Sequence, residues 1–228
     1  MSILKKIIDF IKTHSYAWIL SYFFVYMIWF TYLERTVTKV FHPIHSRLDD
    51  FIPFQEIFII PYFLWFLYIA VTVAYFLLTS KQDFIKCCTY LFTGMTICLI
   101  IYTVWPNGHH LRVDLNSLGR SNIFITMLSK IYAMDTPTNV FPSIHVFNSV
   151  GALIAINRSE RLHNIKWLRL GAFVLTVLIC MSTVFLKQHS FLDILGALVL
   201  NIILYVIIYA PSASKDTEKA KQELTKVS

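Results

Sequence analysis

The chain has 228 residues, a formal net charge of +7 and an apolar fraction of 57%. Its mean hydropathy is +0.62, and its apolar share exceeds the roughly 45–50% of ordinary globular domains, which excludes a soluble domain of usual make-up. In a membrane protein the surplus of Lys and Arg reads as an orientation and anionic-lipid signal, so membrane lipids are the implied partner and nucleic acid is not.

Residues 1–13 place Ile3, Leu4, Ile7, Ile8 and Ile11 near helical period, which predicts an amphipathic segment lying on the membrane surface. The N-terminus does not read as a cleaved signal peptide. Its first long apolar run ends in Tyr32-Leu33-Glu34-Arg35, without a small-residue cleavage pattern. Crossing a bilayer core takes about 20 helical residues, and six apolar stretches are predicted to do so: 15–33, 57–80, 87–106, 142–157, 170–186 and 190–211. The fourth and fifth are short, which puts their ends in the headgroup zone. Backbone groups in lipid must be paired internally, and runs without alternating polarity mean helices instead of barrel strands. The expected fold is all-α, a six-transmembrane-helix bundle with an N-terminal interfacial helix, spanning 1–211. A charged tail, 212–228, follows it and reads as solvated.

The connections carry most of the polar residues. Residues 34–53 hold His42, His45, Asp49 and Asp50, and a tight turn surrounds Ser80-Lys81-Gln82-Asp83. The long connection 107–141 contains WPNGHHLRVDL and an amphipathic stretch, Ile123 to Met134, that suits an interfacial helix. The loop NRSERLHNIKWLR is basic, and only a few residues around LKQHS join the last two spans. Cys87, Cys88, Cys98 and Cys180 fall in apolar stretches without CxxC spacing, which points to buried thiols.

Placing both termini in the cytoplasm puts Lys5, Lys6, Lys12, Lys81, Lys86, Arg158, Arg161, Lys166, Arg169, Lys215, Lys219, Lys221 and Lys226 inside. That leaves Arg35, Lys39, Arg47, Arg112, Arg120, Lys130 and Lys187 outside, the asymmetry that the positive-inside rule describes. The starts of the fourth and sixth spans then lie at the extracytoplasmic face of a multi-pass cell-membrane protein.

Those two starts carry the chemistry. His189 and Asp193 are four residues apart and share a helix face. A carboxylate on one imidazole nitrogen fixes the tautomer and leaves the other nitrogen as nucleophile or base. Asp193 could equally be a first-turn residue favoured by the helix dipole. In FPSIHVFNSV, Pro142 suits a first helical turn and Ser143 a cap, which makes an anion site with His145 just inside it. The plain alternative is a Pro-Ser helix start with a buried polar His. Arg112, in HHLRVDL, and Lys187 offer the positive charge that a phosphoryl group needs.

Together these residues resemble the type 2 phosphatidic acid phosphatase superfamily of histidine-dependent lipid phosphatases. The resemblance rests on Pro142-Ser143-Ile144-His145 and on Ser182-Thr183, five residues, His189, three residues, Asp193. The superfamily's first motif, Lys, six residues, Arg-Pro, is matched by Arg112 alone, with Trp105 at the lysine position and Val113 at the proline. Thr183 replaces the arginine of the third motif. The wording is similar to the branch that contains inositol phosphorylceramide synthases. The resemblance implies that His189 forms a phosphohistidine, Asp193 orients it, and His145 protonates the leaving group. It also implies that Ser143 and Arg112 hold phosphate oxygens and that no metal or cofactor is needed. Lys187, and less directly Lys130, is the expected replacement for the missing charge.

The expected activity is hydrolysis of a lipid phosphomonoester or pyrophosphate at the outer leaflet. A lipid phosphotransferase would use the same site with an acceptor alcohol in place of water. Non-enzymatic alternatives are a transporter or a haem protein ligated by His145 and His189. A metal hydrolase using His109, His110 and the catalytic pair is a further one. The oligomeric state is not legible.

Overall fold

The computed structural model describes residues 13–210; the predicted surface helix, apart from Thr13, and the charged tail lie outside the described residues. Among the described residues, eight α-helices account for nearly all regular structure. We number them α1 (Ser15–Thr36, with a 3₁₀ first part), α2 (Arg47–Phe51), α3 (Glu56–Thr79, with a 3₁₀ first turn), α4 (Lys81–Val104), α5 (Ile123–Met134), α6 (Ile144–Arg158), α7 (Lys166–Phe185) and α8 (Phe191–Ile208). The protein is an all-α membrane bundle.

Among the described residues, five helices are long and apolar enough to cross a membrane: α1, α3, α4, α7 and α8. The predicted fourth span, α6, has 15 residues, about 22 Å at 1.5 Å per residue. It packs against α3, α4, α7 and α8, and most of it is buried, including the polar Asn148 and Ser149. A helix screened from lipid on every side needs neither full crossing length nor an unbroken apolar surface. Gly94 of α4 lets it approach closely, since a Cβ there would fall 2.0 Å from the Phe147 ring. The predicted interfacial helix matches α5 in both bounds; Asn122 caps it by accepting from Ile125 N–H. Its Leu128 packs with Ile59 and Tyr62 at the start of α3 and with Leu186. Cys87, Cys88 and Cys98 are buried and Cys180 is half-buried, all free thiols.

The loops at the end where α3, α6 and α8 begin are knitted together. A short parallel pair joins β1 (His42–Pro43) to β2 (Asn107–Gly108). The Asn107 side-chain oxygen accepts from the N–H groups of Val140 and Phe141 at 3.0 and 2.8 Å. Glu34, at the end of α1, accepts from Thr136 and Asn139. These bonds fix the segment that leads into α6.

Candidate active site

Two helix starts meet at this end. Ser190 caps α8, and Asp193 folds back to accept from the Ser190 N–H at 2.9 Å, a reciprocal capping box. The same Asp193 oxygen lies 3.1 Å from Nδ1 of His189. A carboxylate only accepts, so Nδ1 carries the proton and Nε2 keeps the lone pair. Burial pushes the His189 imidazole down to about 3, against the pull of the Val140 carbonyl and with help from the Arg112 charge. The ring is therefore neutral near pH 7. Asp193 performs both tasks considered for it, capping and orienting.

Ser143 caps α6, its Oγ accepting from Val146 N–H at 3.4 Å. Pro142 stands one residue before that cap and so lies outside the first helical turn. The Ser143 N–H donates to the Asp193 carbonyl at 3.2 Å, which ties the start of α6 to the first turn of α8. Two further contacts hold the approach: the Tyr102 hydroxyl donates to the Pro142 carbonyl at 2.6 Å, and the Phe141 ring sits on Gly196, where a Cβ would come within 2.5 Å of it. The outcome is that the His145 and His189 ring centroids stand 5.8 Å apart at 63°, close enough for one phosphoryl group to reach both. His145 is flanked by Tyr62 at 4.7 Å and Trp65 at 4.3 Å, both from α3. Neither aromatic is distinguishable, in the sequence, from a lipid-facing residue of an apolar span.

Arg112 reaches the same place. Its guanidinium donates to the carbonyls of Tyr132 and Asp135 at 3.0 and 2.8 Å and to Gln188 Oε1 at 2.7 Å, and lies 4.5 Å over the Tyr132 ring. Lys187 does not behave as predicted. Its backbone has φ +54°, and its ammonium donates to the carbonyls of Asp49 and Ile52 at 2.8 and 2.6 Å. It braces the 47–52 segment, and the expectation that it replaces the missing phosphate charge is corrected accordingly. Lys130 is exposed on α5. Thr183 turns its hydroxyl to the Cys180 carbonyl of its own helix, and Trp105 packs between His42 and Phe141.

Asp49 is the residue that the sequence reading passed over. It is 2% exposed, and its carboxylate accepts from the Ser190 hydroxyl at 2.6 Å and the Phe191 N–H at 2.7 Å. A carboxylate at a helix N-terminus is favoured by free N–H groups and by the dipole, so Asp49 fastens the loop to the start of α8. His109 is buried too. Leu111 N–H donates to its Nδ1 at 3.1 Å, which makes Nε2 the donor to the Gln188 carbonyl at 2.8 Å. Burial pushes its pKa down to about 3. Both nitrogens are engaged and neither is left for a metal, while His110 packs on Phe41. The metal site built on this pair is thus not formed, and no group of three or more His, Cys, Asp or Glu among the described residues could hold one.

The apolar helices and the family match below support a membrane protein of phosphatase type, and the buried His–Asp pair, with a second imidazole beside it and a guanidinium nearby, lies within that bundle. Residues 120–214, the segment that contains Ser143, His145, His189 and Asp193, match the PAP2 superfamily, and the match supports membership of it. The match favours phosphoester chemistry over the transporter and haem readings, and it singles out no branch. No curated protein and no solved structure matches the chain.

Proposed function

We propose that the protein is an integral membrane phosphatase that hydrolyses a lipid phosphomonoester or pyrophosphate at the extracytoplasmic leaflet, through a phosphohistidine on His189. The observation that carries this reading is the His189–Asp193 pair at 3.1 Å with the His145 ring 5.8 Å away. The Nε2 lone pair of His189 attacks phosphorus while the bond to the leaving oxygen breaks. His145, protonated by the arriving phosphoryl monoanion, gives that proton to the leaving oxygen. Water then attacks the phosphohistidine with His145 as base, the P–N bond breaks, and inorganic phosphate leaves. Asp193 holds the Nδ1 proton throughout and stabilises the charge that develops on the ring. Arg112 and the start of α6, with Ser143, hold the non-bridging oxygens. The excess of Lys and Arg at the opposite end supports the outward placement of the site and cytoplasmic termini.

The test is phosphate release from a panel of labelled lipid phosphates and pyrophosphates in nanodiscs, with and without added alcohols, alongside an acid quench for labelled enzyme. Free phosphate without any alcohol, with an acid-labile label on the protein, is the expected result. A labelled product lipid without free phosphate turns the reading to a phosphotransferase. Absence of both label and product across the panel ends it.

A further inference from the structure

Beside the nucleophile, two buried N–H groups, Arg112 Nε and Gln188 Nε2, have no hydrogen-bond partner among the described residues. Buried donors in folded proteins are nearly always paired, so adjacent orphans call for a partner that is absent. Their side chains are locked to each other by the 2.7 Å bond from Arg112 Nη2 to Gln188 Oε1. A guanidinium can only donate, so that bond fixes which end of the Gln188 amide is oxygen and leaves the NH₂ end unpaired. The backbone of Gln188 is held as well: its N–H donates to the Thr183 carbonyl at 2.9 Å and its carbonyl accepts from His109. Gln188 is 4% exposed and covalently adjacent to His189. A donor fixed in this way is organised before any ligand arrives.

We propose that Gln188 is a substrate-contacting residue whose amide NH₂ donates to a non-bridging oxygen of the phosphoryl group that Arg112 holds. Its ligand class is a tetrahedral oxyanion, and it supplies a directional neutral donor where Thr183 and Lys187 supply none. His109 is then a positioning residue, acting through the Gln188 carbonyl. This assignment rests on the phosphatase reading above.

Orthovanadate inhibition of wild type, Gln188→Met and Gln188→Glu tests it. The inhibition constant belongs to the folded fraction, so partial misfolding lowers the signal without moving it. Losing a hydrogen bond to a charged ligand weakens binding about 10- to 100-fold. Gln188→Met is expected to weaken vanadate by that factor, and Gln188→Glu by more. If the Glu variant binds as wild type does, Gln188 only braces Arg112, and the proposal is overturned. If Glu weakens binding and Met does not, the effect is charge repulsion, and the proposal is again overturned. In wild-type protein carrying ¹⁵N-glutamine side chains, phosphate should shift the Gln188 amide and leave Gln55, Gln82 and Gln222 unmoved; an unmoved Gln188 signal rejects the contact without any variant. A wild type that neither releases phosphate nor binds vanadate defeats the phosphatase reading itself. A wild type that binds vanadate alongside two unaffected variants defeats only the role of Gln188.

Discussion

The starts of α6 and α8 are alike in sequence and opposite in construction. Each has a serine cap and a histidine within two residues of it. His189 precedes its helix, and its Nδ1 is fixed by Asp193, which Ser190 and the helix start hold in turn. His145 lies inside its helix, makes no hydrogen bond through its ring among the described residues, and is positioned by Tyr62 and Trp65 packing instead. A ring with one nitrogen tied by a carboxylate has a defined tautomer and a directed lone pair, which suits attack on phosphorus. A ring held only by packing can take up and release a proton at either nitrogen without breaking a bond, which suits general acid–base work.

The comparison breaks most readily at His189. His189→Ala should lower kcat about 10⁴-fold or more, as removing a nucleophile does elsewhere, with normal membrane insertion and no labelled enzyme after acid quench. Near-wild-type turnover of the preferred lipid would show that the two histidines do not divide the work in this way. His145→Ala sharpens the contrast, since its effect should depend on the leaving group. A lipid alkoxide needs the proton, and its rate should fall about 10²- to 10⁴-fold, the range for general acid catalysis. An aryl phosphate with a stable phenolate leaving group should lose far less. Equal losses on the two substrates would mean that His145 is structural.

The asymmetry was only half legible in the sequence. Spacing put His189 and Asp193 on one face, and the Pro-Ser and Ser-Phe-Leu-Asp patterns located both helix starts, because these are local rules of capping and period. Lateral contact of the two starts was not legible, since it depends on the Ser143 to Asp193 bond and on the Phe141–Gly196 approach between distant segments. Lys187 misled because its charge is visible and its left-handed φ is not. Nothing in the sequence separates Asp49 from the solvated acids common in loops; its burial follows from a contact 141 residues away in sequence. The burial of α6 is hidden in the sequence for a related reason, because a buried helix and a lipid-facing one share the same apolar signal.

Asp49 tests how far the rigidity of the α8 start matters. In Asp49→Asn an NH₂ group replaces one of the two oxygens that accept from the Ser190 hydroxyl and the Phe191 N–H, leaving a buried donor facing a donor. That costs about 1–3 kcal/mol, measurable as a lower unfolding midpoint in detergent. Activity should fall about 10-fold through kcat as His189 loses its fixed orientation, while an aryl phosphate and a lipid phosphate lose equally. A drop confined to the lipid would place Asp49 in headgroup recognition instead.

The smallest expected effect concerns the charge that Arg112 presents. Burial, and then the neighbouring Glu34, raise the Asp135 carboxyl to about 7, with Arg112 acting against them. Above pH 7 Asp135 is ionised and offsets part of the guanidinium charge; below it the proton is on and Arg112 faces an anion with that charge intact. Vanadate should therefore bind more tightly as pH falls through about 7, by roughly 3- to 10-fold between pH 8 and pH 6, a modest coupling for a half-buried charge pair. Asp135→Asn removes the titrating group, so its inhibition constant should stay near the low-pH value of the wild type. The ratio of the two proteins' constants at each pH cancels the titration of vanadate itself. A ratio that stays flat from pH 6 to 8 would mean that Asp135 does not set the charge seen by the phosphoryl group, and would leave Gln188 and the two helix starts as the only local control on how tightly Arg112 holds it.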